Sequence, residues 1–184
     1  MERAMSIAAL IAALAFVGCS SAHRPAAKQG EAPKACEAKN PVLTISASER
    51  SNASTGGQGR PVQVRIYQLK SDARLKNAKF EEIWQGDAAA LQTELVKMDE
   101  YTVYPGQTKQ VTVTPSPDAR TLAAVALFRE PQGKSWFLTY DLEPPKKEPP
   151  CPASEPQISI WIDRMQIEDG QGRTSAGETG SRGE

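Results

Sequence analysis

A single histidine, His23, stands among the 184 residues, and that scarcity excludes several chemistries at once. No Ser-His-Asp set can be assembled around one imidazole that follows Cys19 by four positions in a polar stretch. Three cysteines without CxxC or HxxxH spacing offer a metal ion no convergent ligands. Net charge is absent too: 22 basic and 22 acidic residues cancel, so no field draws in nucleic acid and no nucleic-acid partner is expected. The apolar run SIAALIAALAFV at 6–17 is shorter than the roughly 20 residues that a spanning helix requires. Adjacent acids, Glu81 with Glu82 and Asp99 with Glu100, read as solvated faces rather than an acid and a base converging on one bond. The stretch GGQG at 56–59 precedes a strand, against the strand-turn-helix order of a phosphate loop. The chain is therefore expected not to be an enzyme and to hold neither cofactor nor metal.

What is present begins with that apolar run. It reads as the core of a signal peptide spanning 1–18, behind a weakly basic start in which Glu2 offsets Arg3. FVGCSS at 16–21 then sets a small residue and Cys19 at its end, a pattern that resembles a bacterial lipobox, whose cysteine is acylated and becomes the first mature residue. Phe16 departs from the leucine usual at the motif's first position, and the plainer alternative is an ordinary signal peptide cut nearby. Ser20 in place of an aspartate resembles lipoproteins sent on to the outer membrane, where the periplasmic face is the expected location. The lipid on Cys19 would be the one covalent group, each buried CH₂ contributing ~0.8 kcal/mol to anchoring.

Residues 19–40 have few large apolar side chains and read as a tether. About sixteen residues before Cys36 reach at most ~50 Å when extended. With Cys19 assigned to the lipid, Cys36 and Cys151 are left as an even pair in an oxidising compartment, and a disulfide between them is expected, the alternative being two free thiols. Residues 168–184 carry no periodicity and read as a disordered tail.

Between tether and tail, at 41–167, alternation of apolar and polar residues dominates. Seven stretches qualify as strands: 42–48, 61–69, 100–105, 109–115, 121–130, 135–142 and 157–168. That pattern predicts a mainly β domain, an immunoglobulin-like sandwich of about seven strands. TLAAVALF at 121–128 is apolar on both faces, so it is expected to be a central strand with a cover on its second side. The cover is the helical insertion at 72–97, where Leu75, Phe80, Ile83 and Trp84 recur at helical spacing and Gly86 separates a second segment capped by Asp87.

Cys19, the Asn- and Gly-rich loop SNASTGGQG, then RPVQVRIYQLK, KFEEIW, YPGQTKQV and LAAVALFRE together resemble TssJ, the outer-membrane lipoprotein family of the type VI secretion system, over residues 19–167. The resemblance implies a transthyretin-like β-sandwich with added helices and no catalysis. It also implies a partner: the periplasmic part of TssM, which joins TssL in an inner-membrane complex. Since the family uses the loop between its first two strands to hold TssM, the implied contact residues are Asn52, Ala53, Ser54, Thr55, Gly56, Gly57, Gln58, Gly59 and Arg60, with Asn52, Gln58 and Arg60 supplying hydrogen bonds. A competing reading is a ligand-binding or sensor lipoprotein on a similar sandwich, its pocket lined by Trp84, Trp136 and Trp161.

Overall fold

Leu43, Ile45 and Ala47 are buried while their neighbours Thr44 and Ser46 are only half-buried, and this period of two makes β1 (Val42–Ala47) a strand with one face in a core. The computed structural model describes residues 35–53 and 56–171. The expected signal peptide at 1–18, the lipid site Cys19 and most of the tether lie outside the described residues, as do Ser54, Thr55 and residues 172–184. After β1 come β2 (Val62–Leu69), α1 (Ala73–Asn77), α2 (Phe80–Leu91), a 3₁₀ turn (Gln92–Glu94), β3 (Leu95–Val103), β4 (Thr108–Thr112), β5 (Thr121–Leu127), β6 (Phe137–Asp141), β7 (Gln157–Asp163) and β8 (Gln166–Asp169).

The strands form two four-stranded sheets, ordered β4-β1-β7-β8 and β3-β2-β5-β6. All pairings are antiparallel except that of β1 with β7. Register explains how both faces of β5 become buried. Val64 and Ile66 lie opposite Ala126 and Ala124, on the face shared with the buried Leu122 that meets the first sheet. Arg65 and Tyr67 lie opposite Val125 and Ala123 on the other face. There α2 covers them: Arg65 Nη1 donates to the Ile83 carbonyl at 3.3 Å, and the Tyr67 hydroxyl donates to Asp87 at 2.9 Å. Every residue of β5 is buried as a result.

Local chemistry shapes the cover. The Lys79 N–H donates to the Glu82 carboxylate at 2.8 Å, closing the start of α2, and Glu81 and Glu82 suit the positive end of the helix dipole. Gly86 is extended rather than helical and kinks α2. The expected break is thus in place, and beyond it the Asp87 carboxylate accepts from the Ala88 N–H at 2.7 Å, one position short of the amides that an N-cap engages.

Three boundaries differ from the sequence expectation. The last strand candidate, 157–168, is a hairpin of β7 and β8, which makes eight strands among the described residues rather than about seven. Its turn places Arg164 at φ 49° with no glycine, asparagine or proline to signal it. Because β8 runs to Asp169 and the Gly170 N–H donates to the Ser159 carbonyl at 2.8 Å, residues 168–170 belong to the sheet rather than to a tail. The insertion ends at Glu94, since β3 begins at Leu95 and not at Glu100. Lys97 and Asp99 hid the first part of that strand; such charges are common on an edge strand, where they discourage further pairing.

The one parallel pair has a covalent counterpart. Val42 pairs with Gln157, 115 positions on, and the Cys36–Cys151 disulfide joins residues that are also 115 apart, with Cα atoms 5.4 Å from each other. The bond thus stands six residues upstream of both strands, in register with their ladder. The Cys36 N–H also donates to the Lys146 carbonyl at 3.0 Å, so the chain is held against the β6–β7 connection before β1 starts. A Cys36→Ser/Cys151→Ser variant is expected to fold yet lose about 2–4 kcal/mol of stability, since the closed loop is long. Urea unfolding checks this: the midpoint should fall, and an unshifted midpoint would show that the ladder needs no clamp.

Candidate functional site

Beyond β1 the chain must turn from the first sheet to the second, and the polar residues of 48–61 organise that passage. Ser48 donates its N–H to the Ile162 carbonyl at 2.8 Å and its hydroxyl to Asp163, which continues the contact of β1 with β7 past the ladder's end. The Ser51 N–H returns to the Ser48 carbonyl at 3.0 Å, and the Ser51 carbonyl accepts from the Arg60 N–H at 2.8 Å. These bonds draw the two ends of the loop together at its base.

Asn52 sits at the centre of this base. It is 4% exposed and has φ 51°, a left-handed conformation that asparagine tolerates better than most residues. Its side-chain amide donates to the Pro61 carbonyl at 2.8 Å, its side-chain oxygen accepts from the Arg129 N–H at 3.1 Å, and its own N–H donates to the Arg164 carbonyl. One residue therefore ties the β1–β2 loop to three segments: its side chain holds the start of β2 and the end of β5, and its backbone N–H holds the β7–β8 turn. This corrects the expected role of Asn52: its amide is committed inside the protein and is not offered to a partner. Gly59 has a structural duty as well, because a Cβ there would overlap the Glu49 carbonyl oxygen.

The remaining expected contact residues divide by exposure. Gly56, Gly57, Gln58 and Arg60 are exposed, and Ala53 and Gly59 are half-buried. Exposed polar residues thus project from a base that is hydrogen-bonded on both sides. Sequence reading missed Ser51, Arg129 and Arg164 as parts of the base; an asparagine ahead of a Gly-rich run was the available signal. Sharing this end of the sandwich are the turn at 104–107, with Tyr104 57% exposed, and the loop at 128–136. The Ala47 N–H donates to the Gln107 carbonyl at 2.9 Å, and the Ile167 N–H donates to the Ser135 carbonyl at 2.8 Å, which joins both to the loop's surroundings.

Perturbed titrating groups lie on the strands of the second sheet. Burial raises Tyr67 well above the ordinary tyrosine range, with Asp87 adding to the rise. Burial and Asp169 push Tyr140 up to about 12. Burial also raises Tyr101, with Asp99 contributing. For Arg65 burial acts downward, but its bonds to Glu100 and Tyr67 outweigh it and the pKa rises. With Asp87 3.3 Å and Glu100 2.8 Å from Arg65, these groups fasten α2 and β3 to β2.

The three tryptophans do not converge on one pocket. Trp136 is buried against Phe80 and Phe137, with ring centroids 5.6 and 4.6 Å away, whereas Trp84 is 49% exposed on α2. Trp161 lies on the first sheet, in a cleft of about 220 Å³ with Thr44, Ser46 and Ser159. Among the described residues, no group of three His, Cys, Asp or Glu is arranged to hold a metal ion.

Comparison with known proteins adds relatives to this geometry. Residues 39–165 match the family model described as type VI secretion lipoprotein, VasD, EvfM, TssJ. The fold resembles the T6SS lipoprotein TssJ1 from Pseudomonas aeruginosa at 23% identity and a TM-score of 0.61, over 72% of this chain and 95% of that one. It resembles Serratia marcescens Lip, a membrane bound component of the type VI secretion system, at 25% identity and 0.62, over 71% and 96%. A chain in the solved structure of the T6SS protein TssM C-terminal domain from EAEC matches at 22% identity and 0.58, over 71% and 97%. Among curated proteins, none matches.

Asn52→Ala removes two buried side-chain hydrogen bonds and leaves alanine in a left-handed conformation, so a loss of about 2–4 kcal/mol is expected. Gly57→Ala, at φ 76° with open space around it, should cost about 1 kcal/mol. Urea unfolding of both variants checks the contrast; equal effects would deny Asn52 its role at the loop base.

Proposed function

The chain belongs to the type VI secretion lipoprotein family that includes TssJ, and from that premise we propose that it is an outer-membrane lipoprotein whose β1–β2 loop docks the periplasmic domain of TssM, and through it TssL. The observation that carries this reading is the loop itself. Connections in compact domains commonly run about four to six residues, whereas this one, which passes from one sheet to the other, spans 48–61 and holds Gly56, Gly57, Gln58 and Arg60 exposed above a fixed base. Polar loops on a rigid sandwich are the usual place for binding residues, and glycines allow a partner's backbone to approach closely. The TssM C-terminal domain structure, in which a chain shares this fold, supports the choice of partner.

In this reading the protein works by binding rather than by catalysis. Acylation of Cys19 would anchor it, Ser20 would direct it to the outer membrane, and the tether up to Cys36 would let the domain stand off the lipid surface. Ala53, Ser54, Thr55 and the exposed residues after them would make the contact, while Asn52 and Gly59 hold the loop's shape.

Replacing Ser54–Gln58 with one glycine, while keeping Asn52 and Gly59, should change stability by less than about 1 kcal/mol and abolish binding of the cognate TssM periplasmic domain in a pull-down. Undiminished binding by that folded variant would move the docking site off the loop. Separately, Cys19→Ser should leave an unprocessed or soluble protein, and its normal recovery with outer membranes would refute the lipid anchor.

A further inference from the structure

Three arginines from three separate segments meet around Asn52. The Arg60 N–H donates to the Ser51 carbonyl at 2.8 Å, the Arg129 N–H donates to the Asn52 side chain at 3.1 Å, and the Arg164 carbonyl accepts from the Asn52 N–H. All three side chains are exposed, and none takes part in the ion pairs among the described residues. Arg50 stands beside them with Asp163 3.7 Å away. The acids at this end are Glu49, Glu130 and Asp163; Asp163 is already engaged by Ser48 and Arg50, and the Glu49 carboxylate lies against Gly106. Although the whole chain has no net charge, the fold gathers guanidinium groups at one end.

We infer that Arg60, Arg129 and Arg164 form a recognition surface for an acidic patch on the docked protein, an inference that rests on the docking reading above and names the chemistry of its partner. Arginine suits this task because its planar fork makes paired bonds to carboxylates and is weakly hydrated, so it is readily taken into an interface. Asn52 contributes by fixing the spacing: its bonds hold the backbone at or beside each arginine, which pre-positions the charges before a partner arrives. The chain enters the fold at Cys36, before the start of β1, and the arginines lie past the end of that strand, about 20 Å further on. The patch adjoins the exposed loop residues Gly56, Gly57 and Gln58, so a protein docked on that loop would meet the arginines as well.

The test uses the full chain as processed in the cell and purified in detergent. Arg129 and Arg164 give only backbone groups to the Asn52 network, so Arg129→Glu/Arg164→Glu should fold normally. Its affinity for the cognate TssM periplasmic domain is expected to fall about tenfold or more, and wild-type affinity should weaken between about 50 and about 500 mM NaCl while the variant responds much less. Wild-type affinity in the charge-reversed chain, with an unchanged salt response, would overturn the inference. If the chain shortened at Ser54–Gln58 loses binding in that case, the docking reading stands and only the arginine surface fails; if it too binds normally, both fail. A further arm compares recovery with phosphatidylcholine vesicles and with vesicles containing phosphatidylglycerol. A gain from the anionic lipid that disappears in the charge-reversed chain, with partner affinity unaltered, would assign the arginines to a membrane and refute the protein surface.

Discussion

The parallel pairing of β1 with β7 is the constraint on which the rest depends. Among the described residues no other strand pair runs parallel, and none closes so much chain, since Val42 finds Gln157 across 115 positions. Closing a long loop has an entropic cost that the ladder must offset. A disulfide at the same separation lightens that cost by restricting the unfolded chain. Once β1 is seated between β4 and β7, its end necessarily lies beside the β7–β8 turn. Ser48 then meets Asp163 and Asn52 meets Arg164, and the loop base follows from the ladder.

From that base the loop acquires its shape. A flexible polar segment loses conformational entropy on binding, and a rigid root reduces how much must be lost. Here the root is hydrogen-bonded across four segments through Asn52 and Ser51, and Gly59 permits the backbone contact with Glu49 that a side chain would obstruct. Fold stability and partner recognition thus reside in adjacent residues with separate duties. Buried Asn52 holds the geometry, while exposed Gln58 and Arg60 and the arginines of neighbouring loops face outward.

On the far face of the second sheet a different problem is solved. β5 is apolar on both sides, so a two-layer sandwich would leave half of it wet. Ile83 and Leu91 of α2 supply apolar cover, and Trp136 packs with Phe80 at its margin. Arg65, which would otherwise be an awkward charge beneath a helix, is met by Asp87, Glu100 and the Ile83 carbonyl. The same contacts fix where the kinked α2 lies.

Much of this was legible from residues alone. Period-two stretches located strands at all seven expected places, the last of which holds two, and placed Val62, Val64 and Ile66 on the core face, because alternation is a local property of the chain. The two-faced apolarity of 121–128 demanded a cover, and the break at Gly86 was visible for the same local reason. Less was legible where an edge strand carried charges, as in β3, or where a turn formed without its usual residues, as at Arg164. The loop shows the limit best. By itself the sequence determined that 51–59 is polar, glycine-rich and too poor in apolar side chains to build a core. Only the tertiary structure decided that Asn52 is buried while Arg60 is exposed, because the groups that satisfy the Asn52 amide include one 77 positions away, and no local pattern encodes a partner at that distance.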